Sequence, residues 1–206
     1  MTTTGGMPAS TGWCANMAKM PKAAVGFLRE AFMVRRYHTV GHVAQQETVG
    51  HHTCNVLAIL FHLFDDRPPL YLVRHALHHD APEAATGDIP ATTKWRFPAI
   101  AKAVEDAEAV VAIDTGLETM ELEPLHRDLL KYADMMDLCF KSVEELAFGN
   151  EAFAPILTNG LTFSMALLEG SLKGHPQAQE LMGILYSNQF IDIDQFMGER
   201  SSETKH

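Results

Sequence analysis

The chain has 206 residues, 47% of them hydrophobic, and a net charge of −10, which is apolar material for one well-packed domain rather than two. The charge is uneven, since Lys19, Lys22, Arg29, Arg35 and Arg36 face Glu30 alone in residues 1–45; the acidic remainder argues against a nucleic-acid polymer as partner but permits a small anion held by local cations. Cys14, Cys54 and Cys139 have no CxxC spacing, which argues against a disulfide framework or zinc ribbon.

Residues 1–15 and 199–206 read as tails around one domain over 16–198. Met17 to Met33 carries Met20, Ala24, Phe27, Leu28 and Ala31 near one helical face, with Pro21 in an early-turn position. Arg35 to Gln46 predicts a loop. Thr48 is the expected N-cap of a second helix whose buried face holds Val56, Leu57, Leu60, Phe61 and Phe64. Asp65 to Pro69 is a turn. A third helix over Leu70–His79 places Leu72, Val73, Ala76 and Leu77 inward and ends near Asp80, because Pro82 lacks an amide donor and disfavours helix in the residue before it. Further helices are predicted over 97–116 with Gly116 as C-cap, from Pro124 to about Phe148, over Leu161–Leu172 and over Ala178–Phe190. The last two would close the core or form a subunit contact. No strand alternation is evident, and the fold class is all-α, a single bundle of about six or seven helices. Cys54 and Cys139 fall in apolar helical stretches and are expected to be buried reduced thiols, consistent with a cytoplasmic location. The apolar run Val56–Leu63 is interrupted by His62 and too short to span a bilayer, so no membrane association is expected.

The chemistry-bearing stretch is His78-His79-Asp80 with Ala81-Pro82-Glu83 and Gly87-Asp88-Ile89-Pro90 behind it. Adjacent His and Asp at a helix end can share one divalent metal ion. Eight of the eleven histidines lie between positions 38 and 79. His42, His62, His75, His126, His175 and His206 read as surface or capping residues. His52 differs, because it begins a helix joined by a short turn to the one that ends at His79-Asp80, and such helices pack antiparallel. The start of one then lies near the end of the other. Asp134, among Leu130, Ala133 and Leu138 on the long helix, is the candidate fourth ligand; an inward Asp needs a metal or a polar partner, and backbone donors are the alternative.

His52, His79-Asp80 and Asp134 together resemble the HD-domain metal-dependent phosphohydrolases. The segments Arg36-Tyr37, Glu47 to His52, His79 to Glu83, Thr86 to Pro90, Lys94-Trp95, Lys131 to Asp134 and Glu144 to Ala147 with Gly149-Asn150 are similar to the YfbR-type 5′-deoxynucleotidases, over roughly residues 30–150. Arg36-Tyr37-His38-Thr39 and the Gln-rich loop after it resemble phage relatives that hydrolyse dATP to deoxynucleoside and triphosphate. His51 stands where these proteins commonly carry Glu, which weakens any role for that position.

The resemblance implies that His52, His79, Asp80 and Asp134 hold a divalent ion (Co, Mn, Zn or Mg), that Glu83 is the general acid/base, and that Asp88 orients substrate or supports the site, unless it simply caps its turn. Arg36, Lys94 and Lys131 would hold phosphate oxygens, with Tyr37 on the base or sugar. The substrate implied is a small-molecule deoxynucleotide: a dNTP, with dATP the first expectation, or a deoxynucleoside monophosphate as the alternative. A non-catalytic nucleotide-binding protein is a further alternative. Such relatives are often homo-oligomers.

Overall fold

Proline and glycine punctuation places several of the helix boundaries. The computed structural model describes residues 22–198. The expected tails, Cys14 and the start of the first predicted helix lie outside the described residues. The elements are α1 (Lys22–Ala31), α2 (Val49–Leu63), α3 (Leu70–His78), α4 (Glu83–Thr86), α5 (Ala91–Arg96), α6 (Pro98–Thr115), α7 (Pro124–Ala147), a 3-10 turn (Glu151–Phe153), α8 (Ala154–Glu169), α9 (Pro176–Tyr186) and α10 (Ile193–Gly198). Among the described residues there is no strand, only an isolated bridge between Arg35 and Thr48. The all-α expectation holds. Among the described residues, seven helices have nine residues or more; α4, α5 and α10 are additional helices of four to six residues.

The caps follow the sequence. Pro98 and Pro124 sit in the first turns of α6 and α7, and Gly116 closes α6 in the left-handed region at φ +69. The Thr48 side chain accepts the His51 N–H at the start of α2. α8 begins at Ala154, well before the expected Leu161, with Pro155 in its first turn. Gly160 lies inside it, where a Cβ would come within 2.7 Å of Leu138 Cδ2 and 2.8 Å of Cys139 Sγ. Glycine there lets α8 lie directly against α7.

α7 is the central post. Tyr132, Ala133, Met136 and Cys139 are fully buried on it, against Val56 and Leu60 of α2, Leu72 of α3, and Leu157 and Leu161 of α8. The Tyr132 hydroxyl donates to the Ala178 carbonyl at 2.7 Å, tying α9 to the post. Truncating a residue such as Leu60 or Leu129 to Ala would cost ~2–5 kcal/mol. A second cluster packs Ala24, Leu28 and Ala31 of α1 on Ala81 and Leu117.

The buried line of α2 differs from expectation. It runs through Val49, His52, Thr53, Val56, Ile59, Leu60 and Leu63, so Phe61 is 41% exposed and Cys54 is exposed. Polar His52 and Thr53 occupy that line, and hydrophobicity alone therefore rotates the apparent face. Cys139 is buried as expected, and burial together with the Asp137 charge pushes its thiol up to about 12. Leu161, Leu181 and Leu185 close the core, while Ile184 faces outward. α6 buries none of its residues. No helix among the described residues is long and apolar enough to cross a membrane.

The segment after α1 docks on the start of α2. The Val49 N–H donates to the Val34 carbonyl at 2.8 Å and the Gly50 N–H to the Phe32 carbonyl at 3.1 Å. These bonds satisfy first-turn amides that have no partner within their own helix. A Cβ on Gly50 would sit 2.8 Å from Phe32 Cβ, so the approach requires glycine. The Arg36 N–H donates to the Glu47 carbonyl at 3.0 Å, which places Arg36 beside the first turn of α2.

Candidate metal and substrate site

His52 is on the first turn of α2, His79 and Asp80 follow the end of α3, and Asp134 is in the middle of α7. The structure gathers His52, His79 and Asp80 into one group of potential ligands, and Asp134 meets that group at His52. His52 Nε2 lies 3.2 Å from His79 Nε2, 3.4 Å from Asp80 Oδ2 and 3.2 Å from Asp134 Oδ1. His79 Nε2 is 3.4 Å from Asp80 Oδ1. Tetrahedral ligands at ~2.0–2.1 Å from one ion stand about 3.3 Å apart, so the spacing of His52, His79 and Asp80 fits a divalent cation, with Asp134 beside His52 as the further carboxylate.

The other ring nitrogens are engaged. His79 Nδ1 lies 2.7 Å from the Ala76 carbonyl, which can only accept, so Nδ1 carries the proton and Nε2 offers its lone pair. His52 Nδ1 lies 2.7 Å from Asp137 Oδ2. Glu47, His52 and Asp137 form a second group of potential ligands, but all three are buried, whereas Asp80 and Asp134 line a cavity. An ion is therefore best placed on the Nε2 side.

Burial and Arg36 pull His52 down, yet Asp134, Asp137 and Asp80 pull it further up, to about 9. Burial acts to raise Asp134, but Lys131, His52 and His79 hold it well below the usual carboxylate range. Asp80 is likewise lowered: burial opposes the shift, and His79, Arg36 and His52 drive it.

The cavity has a volume of about 430 Å³, within the usual range of small-molecule sites. Arg36, Tyr37, Glu83, Asp88, Lys94 and Lys131 all line it. Its apolar wall includes Met135 and Leu138 of α7 and Ile156 and Phe163 of α8. Arg36 donates to Asp80 Oδ2 through Nη1 at 2.6 Å, and its Nε lies 3.3 Å from Glu47. Lys131 donates to Asp134 Oδ2 at 2.8 Å. Glu83 is 6% exposed, and its Oε2 has no hydrogen-bond partner among the described residues. Burial first, then the charges of Asp80 and Asp88, push Glu83 up to about 9 against Arg36 and Lys94. Asp88 accepts the Tyr37 N–H at 2.9 Å, which joins the two turns beside the cavity.

Residues 26–162 match the family of YfbR-like 5′-deoxynucleotidases. The chain belongs to this family. It is 33% identical over 95 residues to the 5′-deoxynucleotidases of Vibrio vulnificus strain YJ016 and Vibrio parahaemolyticus serotype O3:K6 strain RIMD 2210633, a match covering 38% of this chain and 48% of each relative. The chain thus spans about half the length of the curated relatives it matches. A crystal structure of an HD-domain phosphohydrolase from Listeria innocua superposes with a TM-score of 0.67 at 18% identity, covering 87% of this chain and 97% of that one. At that identity the likeness establishes the HD-domain fold.

Three residues packed beside the candidate site escape sequence reading. Asp137 lies three residues after Asp134 and so shares its face of α7, a signal that could have found it. Glu47 sits in a recognised segment, but its bond to Arg36 is tertiary. His42, read as a surface or capping residue, is instead packed inward, with Nδ1 3.1 Å from the fully buried Glu145. Its neighbours come from α7, over one hundred residues away, so no local pattern marks it. His175 does cap α9, accepting the Ala178 N–H.

Proposed function

We propose that the protein is a metal-dependent 5′-deoxynucleotidase that releases deoxynucleoside and inorganic phosphate from deoxynucleoside monophosphates. The observation that carries this reading is the cluster of His52, His79 and Asp80, with Asp134 against His52, beside a cavity that also holds Glu83. The family match supports the same activity. The ion would be held by those four residues; two imidazoles favour Co, Zn or Mn over Mg. When bound it lowers the pKa of water and polarises the phosphoryl group.

The chain's own residues supply the rest. Arg36 keeps N–H donors beyond those facing Asp80 and Glu47, and with Lys94 it binds phosphate oxygens. Glu83, pushed up to about 9, hands its proton to O5′ as the P–O5′ bond breaks and a water oxygen adds to phosphorus, and its carboxylate takes back the proton that this water gives up. Met135, Leu138, Ile156 and Phe163 receive the deoxyribose and base. Asp88 supports the site by holding Tyr37 through its backbone.

The dATP triphosphohydrolase expectation calls on Arg36, Lys94 and Lys131 for three phosphates. Arg36 shares its charge with Asp80 and Glu47, and Lys131 is paired with Asp134. Lys94 alone of the three enters no ion pair among the described residues. That supply of positive charge suits one phosphate better than three.

The test is product analysis with Co²⁺, Mn²⁺, Zn²⁺ or Mg²⁺ and panels of deoxynucleoside mono- and triphosphates, separated by chromatography. Deoxynucleoside and phosphate from the monophosphates alone is the expected result. Deoxynucleoside and triphosphate from one dNTP would replace the reading with the triphosphohydrolase. No product despite metal binding would leave a binding protein.

A further inference from the structure

The loop from Arg36 to Glu47 is closed at its mouth by the backbone bond between those two residues, the arrangement of an Ω-loop. Thr39 and Val40 at its tip line the cavity. Its far side is anchored on one carboxylate. Glu145, fully buried near the end of α7, accepts the Val43 N–H at 2.9 Å and Asn150 Nδ2 at 2.8 Å through Oε2. Its Oε1 lies 3.1 Å from His42 Nδ1 and 3.2 Å from Lys141 Nζ. Two of those partners hold the loop again: Asn150 donates to the Gly41 carbonyl at 2.7 Å and Lys141 to the Gln45 carbonyl at 2.9 Å. Burial pulls the Glu145 pKa up, but bonds from Val43, Asn150, His42 and Lys141 outweigh it and bring it down to about 2.

The anchor reaches the cavity through His42. Its Nε2 lies 3.3 Å from the Tyr37 carbonyl oxygen, and its ring packs with those of Tyr37 and Phe153. Tyr37 has φ +53, a left-handed conformation that is unfavourable for a non-glycine residue and persists only where neighbours enforce it. Asp88 holds its N–H and His42 faces its carbonyl. Glu145 lies eleven residues beyond Asp134 on α7, about 16 Å along the axis at ~1.5 Å per residue, so it acts on the site only through the loop.

We propose that Glu145 is a positioning residue for substrate, anchoring the Arg36–Glu47 loop so that Tyr37, Thr39 and Val40 grip the sugar and base of a bound deoxynucleotide. This rests on the 5′-deoxynucleotidase reading. Arg36 and the metal ligands have their own supports, so phosphate and metal binding do not depend on the anchor.

The test compares Glu145→Ala, Glu145→Gln and Asn150→Ala in a Glu83→Gln background that suppresses turnover. Calorimetry measures Co²⁺, inorganic phosphate and deoxyadenosine 5′-monophosphate, and hydrogen exchange follows amides 38–46. The expected result is at least a tenfold loss of deoxynucleotide affinity in Glu145→Ala, a smaller loss in the other two, and Co²⁺ and phosphate affinities within twofold of the parent. Exchange in 38–46 should rise while the middle of α7 stays protected. Should Glu145→Ala fail to fold, Glu145→Gln and Asn150→Ala carry the comparison. Unchanged loop exchange, or a loosened loop with unchanged deoxynucleotide affinity, would overturn the proposal. So would equal losses for phosphate and deoxynucleotide, which would mark Glu145 as a general stabiliser. A parent that binds phosphate but no deoxynucleotide would instead remove the 5′-deoxynucleotidase reading, and loop anchoring would then be decided by exchange alone.

Discussion

Replacing Asp137 by Ala isolates what orients His52. The His52 ring is fully buried, and its Nδ1 lies 2.7 Å from Asp137 Oδ2, a charge-assisted hydrogen bond. Removing the carboxylate leaves a buried N–H unpaired, at ~1–3 kcal/mol, and frees the ring to turn Nε2 away from His79, Asp80 and Asp134. Loss of such a supporting acceptor lowers metal affinity by ~10–100-fold, or about 1.4–2.8 kcal/mol of binding free energy. A side-chain amide at this position would retain an oxygen to accept the bond, so Asp137→Asn should fall between wild type and Asp137→Ala. Calorimetric titration with Co²⁺ measures all three, and thermal unfolding without metal checks folding. A folded Asp137→Ala protein binding Co²⁺ within twofold of wild type would refute the orienting role. A loss as complete as that of His52→Ala would refute it in the other direction, by making Asp137 a ligand and moving the ion to the Glu47 side.

Glu83→Gln removes the transferable proton while keeping the side chain's size, so kcat should fall by ~10²–10⁴ with Co²⁺ and deoxynucleotide affinities retained; undiminished turnover would remove the acid assignment. Gly160→Val forces side-chain atoms into the contact with Leu138 and Cys139 and should destabilise by ~1–3 kcal/mol, read from the urea midpoint. Glu145 gives stability a defined acid limb. Its folded pKa of about 2 lies below the unfolded carboxylate value of ~4.3, so its contribution is complete above the unfolded value and is lost as pH falls through the folded one. The contribution is on the order of 3 kcal/mol; urea midpoints of wild type and Glu145→Gln should therefore differ at pH 6 and draw together toward pH 2, and a constant gap would contradict the assignment.

Helix punctuation was legible because its causes are local. Pro98, Gly116 and Pro124 act through their own backbone geometry, and they bound α6 and open α7 where expected. The same rules misplace the start of α8, since Pro155 and Gly160 look like breakers in isolation. Gly160 stays helical because α7 packs where a side chain would be. On α2, the apolar pattern put Phe61 inside because polar His52 and Thr53 hold the buried line.

The amino-acid sequence by itself determined an all-α chain, its main helix boundaries and four metal-ligating candidates, because periodicity, capping and adjacent ligands at a helix end are short-range properties. Only the tertiary structure decided that Asp137 backs His52, that Arg36 is drawn to Asp80, and that Glu145 holds the loop beside the cavity. Those outcomes depend on which charges are brought together when water is excluded. Burial raises the cost of an unpaired charge and strengthens each pair that forms, and the partners are set by packing between residues 44 to 102 positions apart.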